Sequence, residues 1–286
     1  MKELSIERVL CDEFIFPEGP RWHDGRLYLS DMRGERVVAI SESGEVETLV
    51  QVPESPSGLG WLPDGRMLIV SMHDFKLLRL DNGELTLHAD LGGAIRYSAN
   101  DMVVDAAGRA YVGNFGYDAY DQSEGNQPLP TSLVMVELDG TVRVVADDLL
   151  FPNGMVVTPD GRRLYVAETY GHRLTAFDIG ADGSLANRRV FADLGERTPD
   201  GIALDAEGAV WVACFAQKDF VRVHEGGEIS ARVGSGERSA LACALGGDDR
   251  RSLFLLSVAD IEKSQQGESQ GFVEVLRVDT PGAGIP

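Results

Sequence analysis

PDGRMLIVS, residues 63–71, sets an Asp-Gly turn signal directly against an apolar run, and close variants of it recur along the chain. They are HDGRLYLSD (23–31), AAGRAYVGN (106–114), PDGRRLYVA (159–167), AEGAVWVAC (206–214) and DDRRSLFLLS (248–257). The turn glycines are Gly25, Gly65, Gly108, Gly161 and Gly208, with Arg251 in the equivalent place of the sixth copy. Successive spacings are 40, 43, 53, 47 and 43 residues. A period of 40–50 residues that carries several strands per unit is the signature of propeller blades.

Each copy has a second short apolar run before its turn, at 19–22, 58–62, 102–105, 154–158, 201–205 and 242–245. Asp-Gly between two such runs predicts a hairpin, because a type I′ turn needs positive φ, which Gly and Asp tolerate. Further strands are predicted at 36–40, 76–80, 133–138, 174–177 and 220–224. Four strands in each of six units account for most of the chain. The expectation is an all-β, six-bladed β-propeller of four antiparallel strands per blade, one domain over residues 1–286. The long third interval holds an insertion, 117–130, whose Asp, Gln, Gly and Pro content marks a loop. A strand over residues 4–10 is expected to complete the final blade, which protects sheet edges that an open array would leave unpaired.

Bulk composition narrows the function classes. Lys and Arg number 26 against 46 Asp and Glu, a net charge of −20, which argues against nucleic acid as a partner. Acidic surfaces mostly serve solubility. No apolar run is long enough for a membrane span and no secretory leader is visible, so the chain reads as soluble and cytoplasmic, without a membrane partner. Cys11, Cys214 and Cys243 are far apart with no CxxC pair, which gives neither a zinc ribbon nor a redox pair. Cys214 and Cys243 lie in apolar runs and read as small buried hydrophobes. Nucleophile-elbow, phosphate-loop, HExxH and EF-hand signatures are all missing. The sequence leaves the oligomeric state open.

The repeat supplies a register, and the register gathers chemistry. The position just before each inner strand holds Glu18, Ser57, Asn100, Asn153, Asp200 and Ala242 in turn. Inner strands surround one axis, so these positions form a ring at the mouth of a central channel. Alone, each Asn-Gly or Asp-Gly is an ordinary turn dipeptide. Five oxygen-bearing side chains at one phase of a repeat instead suggest a site for a hard cation, with Ca²⁺ favoured and Zn²⁺, Mn²⁺ or Mg²⁺ as alternatives. His73, Glu168 and His172 follow blade strands and are candidates to line a pocket there, and Met32, Met72, Phe115, Tyr170 and Phe215 are candidates for its apolar wall.

The chain resembles the SMP-30/gluconolactonase/luciferin-regenerating-enzyme family, which includes regucalcin and bacterial sugar lactonases. The likeness runs through FPEGPRWHDGRLYLSD (16–31), SPSGLGWLPDGRMLIVSM (55–72), ANDMVVDAAGRAYVGNFGYD (99–118), FPNGMVVTPDGRRLYVAETYGHRLTAFDI (151–179), TPDGIALDAEGAVWVACF (198–215) and CALGGDDRRSLFLLS (243–257). It implies a propeller hydrolase whose metal is held at Glu18, Asn153 and Asp200, with Asn100 beside the metal and touching substrate. It departs in one place: regucalcin-type lactonases have an Arg two residues before the Asn-Asp pair, where this chain has Ser98, and Arg96 stands two residues further off. A less polar lactone or ester then fits better than a polyhydroxylated aldonolactone.

The expected activity is metal-dependent opening of a lactone. The cation acts as Lewis acid, and Asp200 is the base toward the attacking water. Arg96, His73, Glu168 and His172 join Asn100 as substrate-binding candidates. Phosphotriester or other ester hydrolysis at the same site and a calcium-binding propeller without turnover are the alternative readings.

Overall fold

Local pattern becomes architecture in six β-sheets arranged around one axis, in a computed structural model that describes residues 1–119 and 126–284. Blade one consists of Pro17–His23, Arg26–Asp31, Arg36–Ile40 and Val46–Gln51. Blade two is Pro56–Trp61, Met67–Ser71, Lys76–Asp81 and Glu84–Asp90, and blade three is Ala99–Val104, Ala110–Asn114, Thr131–Val136 and Val142–Leu149. Blade four comprises Pro152–Val157, Arg163–Glu168, Arg173–Ile179 and Leu185–Asp193; blade five, Pro199–Leu204, Val210–Cys214, Asp219–Val223 and Ile229–Gly234. Blade six takes Ser239–Gly246, Ser252–Val258 and Gly271–Arg277 from the end of the chain and Arg8–Phe14 from its start.

The expected closure therefore occurs, but with a different segment. Arg8–Phe14 pairs antiparallel with Gly271–Arg277, whereas Lys2–Leu4 runs parallel to Ile229–Gly234 on the edge of blade five. The strand expected over 4–10 thus splits, with Leu4 serving one blade and residues 8–10 the next. Six clusters of buried apolar side chains among the described residues each bridge two neighbouring blades. The cluster between blades six and one includes Phe14, Leu27, Leu29, Val38, Ile40, Phe254 and Leu256. At about 1.5–3 kcal/mol each, these seven contribute a gross ~10–20 kcal/mol before chain entropy is counted. Packing on that scale closes the ring without help from a three-residue edge strand.

Turn chemistry departs from expectation in five blades. Only blade one has a two-residue turn with both central residues at positive φ, Asp24 at 45° and Gly25 at 76°. In blade two the loop is wider: Leu62 N–H reaches Arg66 O, Gly65 N–H reaches Leu62 O, and only the glycine is left-handed. Gly108, Gly161 and Gly208 follow that second pattern, that of a turn ending in a left-handed residue. In the sixth copy Arg250, with φ of 58° and its N–H bonded to Gly247 O, takes the place assigned by sequence to Arg251. A five-residue helix, Ile261–Gln265, stands between two strands of blade six, capped by the Asp260 side chain on Lys263 N–H. The insertion 117–130 has no strand in its described parts; residues 120–125 lie outside the described residues. Among the described residues no helix is long and apolar enough to cross a membrane.

Candidate functional site

Glu18, Ser57, Asn100, Asn153 and Asp200 are each the second residue of an inner strand rather than the residue before it, and a bulge follows in every case. A bulge lets one residue leave the pairing ladder and re-aims its side chain. Pairing also corrects the sixth member of the ring: Ala240 opposite Ser257 matches Pro199 opposite Cys214, so Leu241, not Ala242, is in register with Asp200. The glycines after Asn153 and Asp200 are not turn residues here. A Cβ on Gly154 would lie 2.6 Å from Asp200 O, and one on Gly201 would lie 2.3 Å from the Ala242 Cβ. Missing side chains at these two positions let inner strands approach closely around the axis, which concentrates the ring.

Glu18, Asn100, Asn153 and Asp200 line one cavity of about 180 Å³ at the channel mouth. Each is only 6–9% exposed. The orientation of both amides follows from their partners. Asn100 Nδ2 donates to Pro152 O at 3.3 Å. Thr169 Oγ1 donates to Pro199 O at 2.7 Å and so accepts from Asn153 Nδ2 at 3.2 Å. With each NH₂ end held by an acceptor, each Oδ1 occupies the opposite end of its planar amide. Thr169 also lines the cavity, a role that sequence reading did not assign to it.

The carboxylates are in an unusual electrostatic position. Burial pushes Glu18 up to about 8, against a bond from Gly19 N–H and the pull of Arg21, with Asp101 adding to the rise. Asp200 is raised well above the carboxylate range, first by burial and then by the fields of Glu18 and Asp101, although the Asn153 amide and Gly201 N–H oppose this. Arg21, whose field acts on Glu18, is committed elsewhere: it pairs with Asp101 at 2.9 Å and donates to Pro20 O and Met102 O. Two buried carboxylates sharing a field, neither ion-paired to a described residue, are destabilised as anions. A divalent cation resolves that conflict, and carboxylate plus amide oxygens are the donor set of a hard ion. Among the described residues no three His, Cys, Asp or Glu side chains gather as a metal site, so any such ligand set here includes amides.

The other named candidates lie elsewhere. Glu168 is fully buried and does not line the cavity. It accepts from Arg173 Nε and Nη2 and Leu150 N–H, each at 2.9 Å, from Arg188 at 3.2 Å, and from Thr175. His172 donates Nδ1–H to Arg197 O at 2.8 Å, and His73 shares a 3.2 Å hydrogen bond with Ser98 Oγ. Arg96 is exposed. None of these three lines the cavity. Of the expected apolar wall, Met32, Phe115, Tyr170 and Phe215 are present, whereas Met72 is wholly buried in the blade two–three core. Phe16, Tyr117, Phe151 and Ile261 complete the wall, and Arg33 is its one basic residue among the described ones.

The chain matches known proteins over nearly its whole length. The family described as SMP-30/Gluconolactonase/LRE-like region matches residues 16–259. The chain is 26% identical to a 6-deoxy-6-sulfogluconolactonase of Pseudomonas putida over 99% of this chain and 98% of that one. A solved luciferin-regenerating enzyme superposes with a TM-score of 0.80 at 19% identity, covering 96% of this chain and 95% of the other. A calcium-binding protein, regucalcin, of Agrobacterium tumefaciens superposes with a TM-score of 0.76 at 23% identity, covering 98% of both chains. At such identities the two structural likenesses speak for the fold.

Proposed function

Because the chain belongs to the SMP-30/gluconolactonase/LRE-like family, we propose that it hydrolyses a lactone at the channel mouth with the help of a divalent cation, Ca²⁺ by its donor set. The observation that carries this reading is the pair of buried carboxylates, Glu18 and Asp200, raised together at the floor of one cavity. Glu18, Asn153 and Asp200 would hold the cation. When bound, it supplies Lewis acidity toward an ester carbonyl.

The chain's own residues do the remainder. Thr169 accepts from the Asn153 NH₂ and so restrains the amide that would offer its oxygen to the cation. Asn100, pinned through Pro152 O, orients the substrate carbonyl. Asp200 accepts a proton from the attacking water as the water oxygen bonds to the carbonyl carbon. The ring C–O bond then breaks, and that proton passes to the leaving alkoxide, giving a hydroxy acid. A positioned base of this kind contributes on the order of 10²–10⁴ in rate.

A pH-indicator assay over a lactone panel, run before and after EDTA and again with Ca²⁺ restored, tests the reading. Hydrolysis that chelation abolishes and calcium restores is the expected result. Calcium binding without turnover of any lactone would leave a binding propeller instead, and turnover indifferent to EDTA would remove the cation.

A further inference from the structure

The cavity is asymmetric. Its floor is polar, with Glu18, Asn100, Asn153 and Asp200, whereas the wall contributed by blades three and four is aromatic. Phe115 and Phe151 stack with centroids 4.6 Å apart, and Tyr170 meets Phe151 edge-on at 5.4 Å. Tyr117 sits edge-on to Tyr170 at 5.9 Å, and their hydroxyls bond each other at 3.1 Å. Across the cavity, Phe215 and Ile261 continue the apolar lining, and Ser264 of the short helix donates its hydroxyl to Ile261 O at 2.6 Å.

Resting on the lactonase reading, we propose that the substrate is a lactone whose ring carries a flat apolar substituent, an aromatic or unsaturated one, rather than a polyhydroxylated aldonolactone. A six-carbon aldonolactone presents several hydroxyls in addition to the reacting ester. The floor groups are required at the ester, the Tyr117 and Tyr170 hydroxyls bond each other, and Ser264 bonds Ile261 O. Beyond Thr169, only Arg33 and Gln265 among the described lining residues add polar side chains, too few for a full set of sugar hydroxyls. Sugar hydroxyls against Phe115 and Phe151 would exchange water for carbon, which is unfavourable for an unpaired polar group. A flat ring in the same place adds an offset or edge-on partner to an aromatic cluster that is already ordered. The cavity, about 180 Å³, has room for one such ring system.

The test compares kcat/KM for 3,4-dihydrocoumarin, δ-valerolactone and glucono-1,5-lactone, on the calcium-loaded protein. It also measures calorimetric binding of the corresponding unreactive lactams, 3,4-dihydro-2-quinolinone and gluconolactam. A single methylene in an apolar pocket is worth about 10–200-fold. A fused benzene ring is thus expected to favour dihydrocoumarin over gluconolactone by at least ~100-fold, with the lactams ranked alike. Tyr170→Ala and Phe215→Ala, at side chains not fully buried, should each shrink that ratio about tenfold or more. Gluconolactone and gluconolactam equal to or better than their aromatic counterparts would overturn the substrate class and leave the lactonase reading intact. No turnover of any lactone, with the lactam ranking preserved, would sink the lactonase reading and keep the pocket's ligand class.

Discussion

Glu18 and Glu168 are both buried glutamates on blade strands, and the structure treats them in opposite ways. Glu168 ends the second strand of blade four. Burial works against its charge, but hydrogen bonds from Arg173, Thr175 and Leu150 N–H outweigh that and hold its carboxyl below the usual range. Glu18 receives a bond from Gly19 N–H, faces Asp200 and Asp101, and rises to about 8. Burial alone therefore says nothing about role; the partners decide. Asp31, at the same register as Glu168 in blade one, is likewise satisfied by Arg36 and by the N–H groups of Ile15 and Phe16. Such clasps pin blade edges. The ring around the axis instead retains unneutralised acidity, which is costly unless a ligand neutralises it.

The largest expected effect breaks the comparison at its functional side. On the proposed reading, Asp200→Asn and Glu18→Gln each lower kcat/KM for a lactone by about 10²–10⁴. The same Glu18→Gln change raises the cation-free folding stability at pH 8, since a neutral amide removes a buried charge conflict. Steady-state kinetics beside urea denaturation check both halves. Full turnover by Asp200→Asn with calcium still bound would strip Asp200 of the role of base.

Glu168→Gln should do the reverse. It leaves Arg173 and Arg188 without their common anion, and a loss of roughly 2–4 kcal/mol in urea unfolding is expected. Activity per folded molecule should stay within about twofold. A hundredfold fall in kcat/KM for fully folded Glu168→Gln would move this residue back among the substrate-binding groups.

Titration sharpens the contrast because the two glutamates give opposite slopes. Glu18 is held at about 8 in the fold against 4.5 for the free group. Between those values the folded state binds more protons than the unfolded state, so cation-free stability falls as pH rises, by a few kcal/mol in all. Glu168 is depressed. Its contribution is present above the ordinary glutamate range and is lost as pH falls through its folded value. Unfolding curves from pH 4 to 9 in EDTA should therefore slope downward in the native protein, become shallower in Glu18→Gln, where Asp200 remains raised by burial, and keep their slope in Glu168→Gln. Calcium at a hundred times its Kd should restore about 2.7 kcal/mol at pH 8 to the native protein and Glu168→Gln, but not to Glu18→Gln.

This comparison also marks what the sequence made legible. A repeat of Asp-Gly and apolar strand is long-range information written locally, so the six blades and the ring of Glu18, Asn100, Asn153 and Asp200 could be read before any coordinates. The shift from Ala242 to Leu241 could not, because the sixth hairpin runs one rung further to its turn, from Leu241 to Gly246 where blade five runs from Asp200 to Leu204, and no turn glycine in the equivalent place marks the difference. Glu168 looked like a pocket residue since it ends a strand toward the mouth; its four partners arrive from residues 150, 173, 175 and 188, a convergence that only the folded sheet creates. Phe16 and Phe151 escaped notice for a related reason. Both precede the prolines that begin inner strands, where sequence alone suggests a loop, and Phe151 enters the wall through a left-handed backbone at φ 58°.

The smallest expected effect concerns the support of a site residue rather than the residue itself. Thr169 Oγ1 hands its proton to Pro199 O and receives the Asn153 NH₂, so one hydroxyl restrains that amide. Thr169→Val keeps the shape and deletes both bonds. The Asn153 amide is then free to turn its NH₂ inward, where it would repel a cation. Groups that orient a ligand typically account for 10–100-fold in metal affinity. Calcium titration by calorimetry should show a Kd about ten- to a hundredfold weaker for Thr169→Val, with Thr169→Ser recovering most of the loss. An unchanged Kd in Thr169→Val would mean that Asn153 is not among the groups that hold the ion, and that the acidic pair alone separates this mouth from the clasped glutamates of the blades.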